Sequence, residues 1–152
     1  MAGVQGRLAI KNVKIRIQRL ADVPLPRRHT QGSAGFDLCA AEDRTIPAHG
    51  FASVGTGLSI ELPEGTEAQV RPRSGMAAKH GIGILNSPGT IDSDYRGEVK
   101  VILFNASDRE YPVQRGDRIA QLVFGILADV DIVEAESLSH TARGPRGFGH
   151  TG

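Results

Sequence analysis

Aromatic side chains are scarce in this chain: tryptophan is absent, and there are two tyrosines and five phenylalanines. Cysteine is scarcer still. Cys39 stands alone, which excludes an intrachain disulfide and a cysteine-based zinc cluster and fits a reducing, cytoplasmic setting. No apolar run approaches the roughly 18 residues of a membrane-spanning helix. Neither sign of charge dominates: 18 Lys and Arg stand against 17 Asp and Glu, a formal charge of +1. Electrostatic capture of nucleic acid or of an anionic membrane is therefore disfavoured as a main activity. Acidic residues are missing from the first 21 positions, where Arg7, Lys11, Lys14, Arg16 and Arg19 occur, as in a transit peptide. The period argues otherwise, because Val13, Ile15 and Ile17 alternate with Lys14, Arg16 and Gln18 as in a strand, not as in an amphipathic helix.

What is abundant is glycine, 19 in 152 residues, against an average near 7%. With the low aromatic content this predicts many tight turns. Short alternating runs recur along the chain: Leu58, Ile60, Leu62; Ala68, Val70; Val99, Val101, Leu103; Val130, Ile132. Between them lie turn formers such as Pro63-Glu64-Gly65, Ser87-Pro88-Gly89 and Arg115-Gly116-Asp117. The pattern predicts an all-β sandwich, jelly roll or barrel in one domain. At 152 residues, such a domain buries roughly 70% of its unfolded surface. Only Ser74 to His80 reads as helical, with Ser74 as candidate N-cap and Gly81 as candidate stop. Residues 1–138 are read as the β domain, and the glycine-rich residues 139–152 as a flexible segment.

Five segments and Asn86 hold side chains able to do chemistry. Arg71-Pro72-Arg73-Ser74-Gly75 joins guanidinium, hydroxyl and glycine at a helix start, which suits a phosphate; equally, Ser74 caps the helix and the arginines are solvated. Gly89 to Gly97 reads as a hairpin. In it Thr90, Ile91 and Asp92 alternate faces, so that Asp92 can enter a cleft and orient a water, although Asp, Ser and Gly are also ordinary turn residues. Asn86 presents an amide whose donor and acceptor match the edge of uracil, or is a turn asparagine. The tail from Arg143 to Gly152 is a disordered end, or a lid in which Arg143 supplies charge and Phe148 a stacking face. Gly35-Phe36-Asp37-Leu38 and Gly116 to Leu122 also set polar groups in apolar strands. The five histidines have no metal-ligand spacing, and neither a Ser/His/Asp arrangement nor a phosphate-binding P-loop occurs.

Taken in order, Ala34-Gly35-Phe36-Asp37-Leu38, Pro72-Arg73-Ser74-Gly75, Gly89-Thr90-Ile91-Asp92-Ser93-Asp94-Tyr95-Arg96-Gly97, Gly116-Asp117-Arg118-Ile119-Ala120-Gln121-Leu122 and the Arg143 to Gly152 tail resemble the motifs of the trimeric dUTP pyrophosphatase (dUTPase) family. The resemblance implies a distorted β jelly roll, a homotrimer with active sites at subunit interfaces, and magnesium-dependent hydrolysis of dUTP to dUMP and pyrophosphate. Such an activity limits uracil incorporation into DNA and supplies dUMP for dTMP synthesis.

By that resemblance Asp92 is the general base activating water against the α-phosphorus. Asn86, backbone groups at Thr90 and Ile91, and Lys100 read uracil, and Tyr95 lies against the deoxyribose and excludes a 2′-hydroxyl. Arg73, Ser74, Gly75 and Gln121 face the phosphates. Asp37 stands near the waters of Mg2+, which is held mainly by triphosphate and water and not by direct protein ligands. Arg143, Phe148 and Gly149 belong to a lid lent by a neighbouring subunit. Arg146 and His150 depart from the family pattern, standing where it has a glycine and a serine, which alters the lid. The related dCTP deaminases need a catalytic glutamate, and the matching position here is Ile102. A non-catalytic nucleotide-binding module is the other alternative, opposed by the presence of Asp92, Tyr95 and Arg143 together.

Overall fold

The computed structural model describes residues 12–147. Its strands are β1 (Arg16–Arg19), β2 (Phe36–Cys39), β3 (Arg44–Ile46), β4 (Phe51–Glu61), β5 (Thr66–Arg71), β6 (Ile82–Ile84), β7 (Gly89–Ile91), β8 (Glu98–Asn105), β9 (Tyr111–Val113) and β10 (Arg118–Ile126), with one helix, α1 (Ser74–His80). They form two four-stranded sheets, ordered β1-β4-β8-β6 and β2-β10-β5-β7, and a two-stranded β3-β9 pair. The pairings are antiparallel. Residues of both large sheets enter one aliphatic core that includes Leu38, Val54, Ile60, Val70, Val101, Leu103 and Leu122, so the expected all-β fold is present.

Alternation explains most of this burial. On β5 Thr66, Ala68 and Val70 point inward while Glu67, Gln69 and Arg71 form the outer face, and on β8 Val99, Val101, Leu103 and Asn105 point inward. The middle of β4 breaks the rule, being buried at every position from Val54 to Ile60. Gly55 faces Lys100 and Ser59 faces Glu98, so Thr56, Gly57 and Leu58 all stand against Val99. This is a β-bulge, and Gly57 holds the positive φ of 67° that the bend requires.

Three sequence expectations need correction. Ser74 opens α1 but does not cap it: Arg73 is the N-cap, without a side-chain bond, while Gly81 ends the helix in the left-handed conformation as expected. Val13 and Ile15 are half-buried but precede β1, which starts at Arg16. Val130 and Ile132 alternate like a strand yet belong to none, and they are 67% and 95% exposed. A strand exists only beside a partner edge, and among the described residues this segment pairs with none.

No helix among the described residues is long and apolar enough to cross a membrane.

Candidate active site

The expected hairpin at Gly89–Gly97 is divided between the two sheets, and this division builds half of the site. Its outer arms pair as β6 and β8, with Ile84 opposite Leu103, and Leu85 N–H still donates to the Ile102 carbonyl at 2.9 Å. Beyond that point the strands part. β7 leaves for the other sheet, pairing Gly89, Thr90 and Ile91 with Val70, Gln69 and Ala68 of β5.

Parting leaves β8 with an open edge. Ile102 turns its backbone polar groups toward β6, and Val99 turns its carbonyl toward β4, where it accepts the Thr56 hydroxyl at 2.6 Å. By strand alternation the N–H and C=O of Lys100 face the same way as those of Ile102, into the gap that β6 has left. A donor and an acceptor are thus displayed together beside the exposed Asn86. Tyr95 closes the other side: its hydroxyl donates to the Glu98 carbonyl at 3.0 Å. Gly97 lies beneath the ring, where any Cβ would collide with it. Arg96 secures the turn by donating to the carbonyls of Ser93 and Tyr95, at 2.6 and 3.0 Å. Ile91 is in the core, so its backbone alone faces the site, whereas Thr90 and Asp92 on either side are exposed.

The second half is a cleft lined by Gly35, Asp37, Arg73, Ser74, Gly75 and Gln121. Arg73 Nε lies 3.5 Å from Asp37 Oδ1, and Arg118 Nη1 3.5 Å from Asp37 Oδ2. These are long for charge-assisted bonds, so both guanidinia keep donors for another anion. Arg73 also donates to the Arg118 carbonyl at 3.0 Å, which braces it against β10. Gln121 Nε2 donates to the Pro72 carbonyl at 2.9 Å. Its side chain occupies the space a Cβ at Gly35 would need, which is why glycine stands there. Cys39 lies on the same face of β2 as Asp37. Burial raises its thiol pKa above the ordinary value and the Asp37 charge adds to this, with Arg118 and Arg73 opposing.

Arg118 is the residue that sequence reasoning missed. It lies in the Gly116–Leu122 segment, from which only Gln121 was assigned to the phosphates, and its approach to Asp37 depends on the β2–β10 register.

The two halves lie apart. Asp37 is on β2 and Asp92 just past β7, the opposite edges of one sheet. Three strand spacings separate those edges, about 14 Å, before any offset along the strands. Arg143 joins neither half: it donates to the Arg146 carbonyl at 2.8 Å, and Arg146 returns a bond to the Arg143 carbonyl at 2.9 Å, in a turn with Gly144 at φ 57°. Phe148, Gly149 and His150 lie outside the described residues. Among the described residues no three His, Cys, Asp or Glu side chains gather as a metal site.

Comparison with known proteins gives one answer. A family model described as dUTPase matches residues 21–152. A deoxyuridine 5'-triphosphate nucleotidohydrolase of Wolinella succinogenes is 53% identical over 144 residues, covering 94% of this chain and 97% of the relative. One from Fusobacterium nucleatum is 48% identical over 145 residues, covering 94% and 99%. Among solved structures, the dUTPase of Staphylococcus bacteriophage 80alpha with dUPNHPP superposes with a TM-score of 0.86 at 24% identity, covering 91% of this chain and 98% of that one. A mutant dUTPase of phage phi11 of S. aureus, described as coordinating a structural Mg(II) ion, has a TM-score of 0.75 at 22% identity, covering 82% and 97%.

Proposed function

The chain belongs to the dUTPase family and is a dUTP diphosphatase, and from that premise we propose that its two half-sites, on different copies of the chain, close around one nucleotide. The separation of Asp37 from Asp92 across a single sheet carries this reading. A triphosphate held at Arg73 and Arg118 of one copy meets the base and sugar pocket of another. The exposed Val130, Ile132, Val133 and Leu138 support the same association, since an apolar stretch in solvent is suited to a partner surface. A homotrimer with three interfacial sites satisfies both requirements symmetrically.

Within such a site Asn86 and the open backbone edge of Lys100 read uracil, with Thr90 and the backbone of Ile91 alongside, and Tyr95 packs on the deoxyribose. Arg73, Ser74, Gly75 and Gln121 hold the phosphate chain, and Arg118, beside Arg73, adds charge there. Asp92 accepts a proton from a water as its oxygen attacks the α-phosphorus in line, and pyrophosphate leaves. A single half-buried carboxylate, Asp37, is suited to the water shell of Mg2+, which usually keeps several waters and binds substrate phosphates. When bound, the cation neutralises phosphoryl oxygen charge. Residues 139–152 act as a lid over the neighbouring site, with Arg143 near the γ-phosphate and Phe148 and Gly149 over the base, excluding water. The lone cysteine fits a cytoplasmic setting. There the reaction limits uracil in DNA and supplies dUMP for dTMP synthesis.

The deaminase alternative lacks its acid–base group, because Ile102 on β8 is aliphatic. Product analysis with dUTP, dCTP and dTTP plus magnesium tests the proposal. Pyrophosphate from dUTP alone is expected; ammonia from dCTP would point to deamination, and no reaction to a binding module.

A further inference from the structure

The base and sugar pocket stands where the β4–β8 ladder is interrupted. Between Gly55↔Lys100 and Ser59↔Glu98 the regular pairing lapses, and side chains replace it. Thr56 Oγ1 donates to the Val99 carbonyl at 2.6 Å. Gly57 N–H donates to Glu98 Oε1 at 2.9 Å, and Gly55 N–H donates to Glu42 Oε1 at 3.0 Å. A Cβ at Gly55 would stand 2.6 Å from Glu98 Oε1, so the carboxylate lies directly over the bulge. Behind it, Gly57 is enclosed by Ala21, Val23 and Ala41, and its carbonyl accepts the Leu20 N–H at 2.7 Å. The bulge is therefore a fixed anchor.

Glu98 connects that anchor to the pocket. Its side chain grips Gly57 on one side of β8, while its own carbonyl receives the Tyr95 hydroxyl on the other. Two residues on is the open edge of Lys100. We propose that Glu98 is a positioning residue for base and sugar recognition: its carboxylate ties the start of β8 to the β4 bulge and thereby sets both the tilt of Tyr95 and the reach of the Lys100 backbone. This rests on the reading that Tyr95 and Lys100 contact the nucleoside. Glu98 touches neither phosphate nor attacking water in that arrangement, so its contribution is equal in ground and transition states.

The test uses the full chain, with Glu98→Ala, Glu98→Asp and Glu98→Gln assayed for pyrophosphate release from dUTP and UTP beside thermal melts. Losing the Gly57 bond should raise the KM for dUTP about tenfold with kcat within about twofold, and should lower the preference for dUTP over UTP. Glutamine keeps an acceptor oxygen and should restore KM and preference to within about twofold of the wild type. Aspartate keeps the charge but falls one methylene short, so it should fold and show the same raised KM and lowered preference, even where the alanine variant does not fold. Unchanged KM and preference in a folded Ala or Asp variant, failure of Gln to restore them, or loss of folding in both short variants would each overturn the inference. Tyr95→Ala, assayed in parallel, separates the two failures. Should it leave the dUTP to UTP ratio unmoved, the sugar reading falls; should it relax the ratio while folded Glu98→Ala does not, only the role of Glu98 falls.

Discussion

Asp92 follows a side chain committed to the core, and that neighbour is what aims it. Ile91 is 7% exposed, so strand alternation turns Thr90 and Asp92 to the outer face together. Under the proposed mechanism Asp92→Asn keeps the shape and removes the base, so turnover of dUTP should fall about 10²- to 10⁴-fold. Binding of a non-hydrolysable analogue, measured by titration calorimetry, should stay near that of the wild type. Tyr95 is held by its bond to the Glu98 carbonyl and by Gly97 beneath its ring. On the proposed reading Tyr95→Ala removes the wall against a 2′-hydroxyl, so kcat/KM for UTP relative to dUTP should rise in a competition assay. At this scale the sequence was informative, because residue type and strand period speak for themselves. Arg118 escaped notice because its partner Asp37 is 81 positions away in the chain.

At the scale of elements, the decisive feature is the hairpin that opens between β6 and β8 and lends β7 to the other sheet. Turn chemistry at Ser87-Pro88-Gly89 and the run from Val99 announce a hairpin but not its division, since the choice between pairing with β8 or β5 is made by packing. The β4 bulge is a second such element. A conformation at φ 67° is readily open to glycine and costs other residues roughly 1–2 kcal/mol. In Gly57→Ala the new Cβ would also stand 3.1–3.3 Å from Ala21, Ala41 and Val23. Urea denaturation should show a loss of about 1–3 kcal/mol in this variant. Helix α1 is legible at both ends except in its cap, where the serine that statistics favour yields to Arg73, whose guanidinium is drawn away to the Arg118 carbonyl.

For the whole molecule, the proposal that half-sites of different copies meet predicts that no copy is active alone. Mixed assemblies test this. Asp92→Asn and Arg73→Ala should each be nearly inactive, yet refolded together in equal amounts they should regain activity at about a quarter of the sites, because a site can draw Asp92 from one copy and Arg73 from another. Steady-state pyrophosphate release at matched total protein reads the result, and no recovery would place both residues in the same chain's site.

The order of residues was enough to determine what depends on near neighbours: the all-β class from alternation, the helix stop at Gly81, the turns, and the five segments that resemble a dUTPase. Tertiary structure alone decided which strands pair, that Arg118 joins Arg73 at Asp37, that Lys100 shows a free backbone edge, and that Asp37 and Asp92 stand at opposite rims of a sheet. The physical reason is range. Side-chain period and turn preference act over a few residues, whereas register and sheet order are settled by contacts between segments tens of residues apart, made only when the core closes.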